Sequence, residues 1–435
     1  MNAYRDTARV LPVDRAMDKP PLEESLGGAA LPKAATEAST IALFGLFGCG
    51  NLGNDGSLEA MIGFLRGARP NAKLYCVCTD PDVIGRTMGI EAIPMRWSRG
   101  LRRRSVFSRV LLWGPLKFID FAKAAQFISR ADVMLIPGTG ILDDFGERAY
   151  GMPLDILVWC LAARLMGTRL AFVCIGAGPI RHRISRWLMT FSARLAHYRS
   201  YRDAMSKEFM ANNAGFETTG DPVYPDIAFK LPAPAARTVN RADDRLTIGV
   251  GVMSYYGWYG FADGGQQIFD RYIEKLSRFV VHVLDSGHAV RLLTGEIGDR
   301  IAVDALLANV RAIRPGLSAT AIVAEPSASL HEVMDQMADT DIVVATRFHN
   351  IVCALKMGKP TISLAYSKKN DVLMGQMGLE DYCQHVEHFD VTKLIGQLDS
   401  LVLRRDDHAR KIRDQVDKLQ QELMRQDEIL LSTML

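Results

Sequence analysis

Cysteine is scarce in this chain, with seven in 435 residues, at positions 49, 76, 78, 160, 174, 353 and 383. Most lie inside apolar runs, which excludes the evenly spaced framework of a disulfide scaffold and suits buried structural thiols in a reducing cytoplasm. Cys76 and Cys78 stand too close for a common zinc pair and have no second pair, so no metal is expected. Net charge is also nearly absent, at +3, and gives no electrostatic ground for a nucleic-acid partner. Long apolar runs are missing: the best stretch, around Leu154–Ile180, is broken by Arg164 and Arg169, short of the ~20 residues that a spanning helix needs. Residues 1–39 carry charges and prolines where a signal peptide would carry an apolar core. They are expected to form a disordered tail on a cytoplasmic protein.

What the chain does have is the composition of a globular protein, 48% hydrophobic and 23% charged, at a length that favours two domains. Short apolar runs alternate with helical patterns. Strands are predicted over 41–44, 73–78, 133–136, 170–175 and 199–201, with helices at 57–65, 154–166 and 185–196 between them. Such alternation implies parallel βαβ units. The stretch "KLPAPAARTVNRADDR" has no periodicity and reads as a linker, and a second strand series follows at 247–253, 289–293, 319–323, 341–345 and 361–364. The expected fold is α/β, with two Rossmann-like domains facing a cleft. The expected units are a tail (1–39), an N-terminal domain (40–230), a linker (231–245), a C-terminal domain (246–404) and a terminal helix (405–435). In the last unit Ile412, Val416, Leu419 and Leu423 make one apolar stripe, suited to packing on the body or to a short coiled coil.

Gly48-Cys49-Gly50-Asn51-Leu52-Gly53 is a literal GxGxxG after a predicted strand, and Asp80 ends the next one. Taken alone, that is a dinucleotide fingerprint. However, glycine-rich or polar loops close nearly every predicted strand in both halves, as in "IPGTGILDD", "CIGAGPI", "LLTGEIGD" and "VATRFHN". In open parallel sheets, ligands bind beyond the carboxyl ends of strands, where helix N-termini favour anions. Loops in both halves therefore point to an interdomain cleft more than to one nucleotide fold. Asn54-Asp55-Gly56 is expected to delay the helix after the first loop.

The sharpest cluster is Thr346-Arg347-Phe348-His349-Asn350, predicted at a strand's end and a helix's start. Arg347 offers a planar fork for carboxylate or phosphate, and His349 can move protons near neutral pH. The same cluster also reads as a helix cap. Arg202 and Asp203 either face the cleft or form a capping salt bridge, and Asp143 and Asp144 either serve as a base or cap a helix. The basic, aromatic stretch from Arg96 to Arg109 reads as a peripheral membrane contact or as a solvated helix.

Together these pieces resemble the polysaccharide pyruvyl transferase family over roughly residues 41–380. The resemblance rests on "GLFGCGNLGNDGSLEA", "IPGTGILDD", "SYRDAMSKEFMANNAG", "YPDIAF" and "TRFHNIVCALKMGKPTISLAYSKK" in that order. It implies the two-domain architecture of B-type glycosyltransferases. The implied reaction moves a pyruvyl group from phosphoenolpyruvate to a saccharide, on a polysaccharide or its lipid-linked precursor, with no cofactor. His349 and Arg347 would be catalytic. Arg202, Asn51, Gly53, Asp55, Gly138, Gly140, Asp144, Tyr366 and Lys369 would bind substrate. The alternatives are a B-type glycosyltransferase using a nucleotide sugar, an NAD-dependent dehydrogenase, or a non-catalytic scaffold.

Overall fold

The apolar runs of the first half form six parallel strands. They are β1 (Thr40–Phe44), β2 (Lys73–Cys78), β3 (Glu91–Pro94), β4 (Val133–Pro137), β5 (Arg169–Ile175) and β6 (Tyr198–Tyr201), in the spatial order β3-β2-β1-β4-β5-β6. The second half gives β7 (Thr247–Gly251), β8 (Ala289–Leu293), β9 (Ile322–Ala324), β10 (Ile342–Ala345), β11 (Thr361–Ala365) and β12 (Cys383–His385), ordered β12-β11-β10-β7-β8-β9. Read from the β9 edge, the second order repeats the first. This computed structural model describes residues 39–97, 113–144, 147–213, 215–234, 245–257, 264–318 and 320–435. The expected tail before residue 39, most of the expected linker (235–244) and the basic stretch from Arg99 to Arg109 lie outside them.

Helices cover both faces of each sheet, so the central strands are buried on both sides and do not alternate. All five residues of β4 and of β11 are buried. Register is continuous across the centre: Leu43 sits between Cys76 and Leu135, and Ala345 between Gly251 and Ser363. One apolar core runs from the first sheet through Leu58, Phe229 and Leu231 into Leu330 and the second sheet. Burial of each such aliphatic side chain contributes roughly 2 kcal/mol. The other face of the first sheet has its own core around Phe44, Trp159 and Phe172.

Two local features position the cleft. The first helix, Leu52–Ala68, begins directly at its cap, because the Asn51 side chain accepts hydrogen bonds from the amides of Gly53 (3.1 Å) and Asn54 (3.3 Å). Asn54-Asp55-Gly56 therefore lies inside the first turns, which corrects the expected delay. The last helix, Arg405–Thr433, straps the two halves together. His408 meets the Tyr382 hydroxyl at 3.3 Å in the second half, while Gln426 donates to Ser200 Oγ at 2.6 Å in the first. Its Ile412, Val416 and Leu423 are buried against the body.

Candidate active site

In parallel sheets of this order, the crevice opens where connections leave the first and fourth strands in opposite directions. Here those are the loops after β1 and β4 in one half, and after β7 and β10 in the other. The two sets face one another.

In the loop after β1, Gly48 and Gly50 adopt positive φ (74° and 89°), a conformation that favours glycine. Four amides of this loop are committed within the protein. Gly48 donates to Asp55 Oδ1 (2.8 Å), Gly53 and Asn54 to Asn51 Oδ1, and Leu52 to the Gly295 carbonyl of the other half (3.2 Å). The Gly50 carbonyl accepts in return from Ile297 N (3.2 Å), so the loop is stitched to the second half by an antiparallel bridge at Asn51 and Glu296. A dinucleotide loop offers such amides to pyrophosphate; these are taken. Asp80 caps its own helix, accepting from the amides of Asp82 and Val83, both at 3.1 Å. The fingerprint is thus a docking loop.

Three residues expected to bind substrate sit behind the cleft surface. Burial raises the Asp55 carboxyl to about 6, against the lowering effect of the Gly48 amide. Gly138 (φ 57°) is buried; a β-carbon there would meet Ile227 Cγ2 at 2.3 Å, and its carbonyl accepts from Ser57 Oγ at 3.1 Å. Asp144 is buried and accepts from the amides of Arg181 (2.8 Å) and His182 (3.1 Å), so it shapes the loop after β5. Asn51 and Gly140 do line the cleft, a cavity of about 490 Å³, together with Arg202, Arg347, His349, Tyr366 and Lys369. Asn54, Ser254 and Tyr255 line it too, although no motif singles them out.

Arg347 follows β10 at the N-cap of the Phe348–Lys356 helix. Its guanidinium is bidentate to the fully buried Asp299, with Nε to Oδ2 at 3.0 Å and Nη2 to Oδ1 at 2.6 Å, and Nη1 reaches Glu296 at 2.6 Å. Burial works against its charge, but the two carboxylates outweigh burial and raise its pKa. The fork is held rigidly, with one N–H on each terminal nitrogen beyond these contacts.

His349 is one residue into the same helix, with its side chain 17% exposed. Gly53 lies against the imidazole: a β-carbon on Gly53 would fall 1.9 Å from Nδ1. Nε2 lies 3.8 Å from Asp226 Oδ2 and makes no hydrogen bond among the described residues. Burial, then the nearby Arg202, Lys369 and Arg347, push its pKa down to about 4 against the opposing pull of Asp226. The imidazole is therefore neutral at physiological pH.

Arg202 enters from the end of β6. Its Nη1 approaches Asp226 Oδ2 at 3.4 Å, its Nε lies 3.5 Å from Asp203, and its guanidinium lies 4.9 Å from the Phe348 ring centre. Gly176 leaves room for it, since a β-carbon there would meet Nη2 at 2.4 Å. Asp226, of the "YPDIAF" segment, is buried and caps a short turn through Ala228 N (2.9 Å) while its other oxygen faces Arg202 and His349. Lys369 lies over both Phe348 (5.2 Å) and Tyr366 (5.1 Å). Burial opposes ionisation of the Tyr366 phenol, but Lys369, Arg347 and Arg202 outweigh it and lower the pKa. Three cations thus converge on one neutral imidazole. Arg96 instead pairs with Asp155 and is partly buried, so it is no free membrane contact. No group of three metal-ligating side chains occurs among the described residues.

A family model described as polysaccharide pyruvyl transferase matches residues 51–368. A search of curated proteins finds no match. Among solved structures, a glycosyltransferase from Rickettsia africae is similar over 91% of this chain and 99% of its own, at 10% identity and a TM-score of 0.55. A UDP-GlcNAc 2-epimerase from Methanocaldococcus jannaschii is similar over 83% of this chain and 91% of its own, at 11% identity and a TM-score of 0.53. At these identities the likeness is one of fold: the two-domain architecture of the B-type glycosyltransferases.

Proposed function

The chain belongs to the polysaccharide pyruvyl transferase family, and from that premise we propose that it moves a pyruvyl group from phosphoenolpyruvate onto two hydroxyls of one saccharide as a ketal. The observation that carries this reading is the convergence of Arg202, Arg347 and Lys369 on the cleft beside His349. Phosphoenolpyruvate is a small donor with a carboxylate and a phosphate close together. Three fixed cations and the N-terminus of the Phe348–Lys356 helix suit it, and cost little reorganisation when charge moves.

Proton movement then follows from the state of His349. In the free protein, burial first and then the surrounding cations keep the imidazole neutral. A bound donor trianion offsets those cations, so His349 takes up a proton on binding. It delivers that proton to the methylene carbon of the donor, leaving an oxocarbenium-like centre at the phosphate-bearing carbon. A saccharide hydroxyl adds there, and the neutral imidazole accepts its proton. The second hydroxyl of the same saccharide closes the ketal as the C–O bond to phosphate breaks. The departing phosphate leaves with the electron pair, and the hydroxyl proton follows it. One donor and one diol thus give one ketal and one inorganic phosphate. Asp226 faces the imidazole at 3.8 Å, and its charge favours the protonated ring that the first transfer uses. In this reading the reaction is cytoplasmic, and the acceptor is a polysaccharide or its lipid-linked precursor.

The test uses carbon-labelled phosphoenolpyruvate and a panel of saccharides in D2O. The expected product carries the label and one deuterium in its methyl group. Labelled donor left intact while a nucleotide sugar is consumed would instead make the protein a glycosyltransferase.

A further inference from the structure

Most of the exposed large apolar side chains of the first half gather on one layer. The helices Trp113–Ile128, Met152–Leu165 and Arg183–Arg194 pack side by side over a single face of the first sheet. Each is a crossover helix, so its N-terminus lies at the carboxyl edge of the strands, on the cleft rim. Phe118 is 72% and Trp187 60% exposed at that end, with Ile184 one turn before Trp187 on the same helix. Trp187 stacks on Phe191 with ring centres 5.6 Å apart, which holds the indole outward as a fixed plate.

Positive charge gathers at the Trp187 side of this rim, while the exposed Glu147 stands at the start of the middle helix. Arg181 and Arg183 are exposed, and Arg183, Arg186, Trp187, Thr190 and Arg194 line a surface depression of about 250 Å³. Arg186 is held there by donating twice to the Ile180 carbonyl (3.2 and 2.9 Å). The Arg183–Arg194 helix therefore has an apolar face buried on the core through Leu188 and Met189, and an outer face of arginine and tryptophan. Tryptophan with arginine is the combination that settles at the boundary between headgroups and acyl chains.

We propose that this rim docks the protein on an anionic lipid bilayer, with lipid phosphate in the arginine-lined depression and Trp187, Ile184 and Phe118 in the headgroup boundary. Charge complementarity selects a bilayer over a second copy of this chain, whose matching surface would bring like charges together. The surface is separate from the residues of the cleft and from the stretch at Arg99–Arg109. Docking sets the cleft rim against the membrane, which presents a lipid-linked saccharide where the acceptor enters; that last clause rests on the function proposed above.

The test sediments the full chain with vesicles of phosphatidylcholine alone, or mixed with phosphatidylglycerol. Binding is expected on the mixed vesicles and not on phosphatidylcholine. Arg183→Glu should weaken partitioning about tenfold or more, and Ile184→Glu/Trp187→Glu should abolish it, each with an unchanged melting temperature. Arg183→Glu is the milder surface change and keeps the test valid should the double variant fold poorly. Equal binding to both vesicles, no binding to either, or a concentration-dependent dimer in place of vesicle binding would overturn the proposal. Phosphate release with a water-soluble acceptor, measured on the same variants, should be unchanged; it separates a failure of docking from a failure of the proposed reaction.

Discussion

The two halves share a strand order, yet their facing edges are furnished in opposite ways. Around the first crevice, glycines dominate and polar groups are committed to holding loops: Gly48 to Asp55, Ser57 to Gly138, and Asp144 to the turn at Arg181. Around the second, the same strand positions deliver Arg347, His349, Tyr366 and Lys369 into the cleft. The first half supplies close-fitting surface and the second supplies most of the charge. Gly53 against His349 and Gly56 against Leu330 are the points where one half is shaped by the other. Arg202 and Asp226 are the first half's charged contribution, and they arrive from its far edge.

That contrast can be broken from either side. The largest effect is expected from His349→Ala, which should lower kcat roughly a thousandfold while leaving the melting temperature near that of the parent. Gly53→Ala breaks the same contact from the glycine side. Its methyl has no room beside the imidazole, so the ring must move, and kcat should fall on the order of a hundredfold. Gly63→Ala is its control. That glycine has open space around it on the same helix, so activity should hold and stability rise by about 0.5–1 kcal/mol. A Gly53→Ala enzyme as active as the Gly63→Ala enzyme would dissolve the claimed division between the halves.

Titration sharpens the comparison, because burial works against the charged form of one group on each side. For His349, removing a neighbouring cation by Lys369→Met should move its pKa up from about 4, toward the unperturbed 6.5. Because the first transfer uses the imidazolium, the fall of kcat/KM with rising pH, which reports the free enzyme, should move up with it. On the first side the sign is opposite. Asp55 has its folded pKa raised to about 6 from 3.8, so its protonated form favours folding; that contribution is full below 3.8 and is lost as pH rises through about 6. Asp55→Asn keeps an oxygen for the Gly48 amide and removes the buried charge. It should raise stability by about 1 kcal/mol at neutral pH, discounted for partial exposure, and show no gain below pH 4, as read by urea titration.

The sequence made the centre of each sheet legible and one edge of each obscure. The inner strands are continuous apolar runs because helices bury both faces, and they stand out without an alternating pattern. Glu91–Pro94 and Cys383–His385 are short edge strands with few apolar residues, so no periodicity announces them. In the site, Arg347 and His349 were visible because polar residues directly follow the buried strand Ile342–Ala345. Their partners were not. Asp299 lies 48 residues before Arg347 and reaches it only through the fold, and Asp226 sits in a segment with no strand beside it. The glycine loop is ambiguous on its own for the same reason: GxGxxG states where backbone is close, not what it is close to. Here that neighbour is the other half of the protein. "TGEIGD", a polar loop after a buried strand, carried the signal for Glu296 and Asp299.

The most direct measurement is inorganic phosphate released from phosphoenolpyruvate in the presence of a saccharide panel, run on the parent enzyme and on His349→Gln. The account predicts acceptor-dependent phosphate equal in amount to ketal formed, and a loss of roughly a thousandfold in the variant. Nucleotide released from a nucleotide sugar while phosphoenolpyruvate stays inert, or near-full activity in His349→Gln, would contradict it.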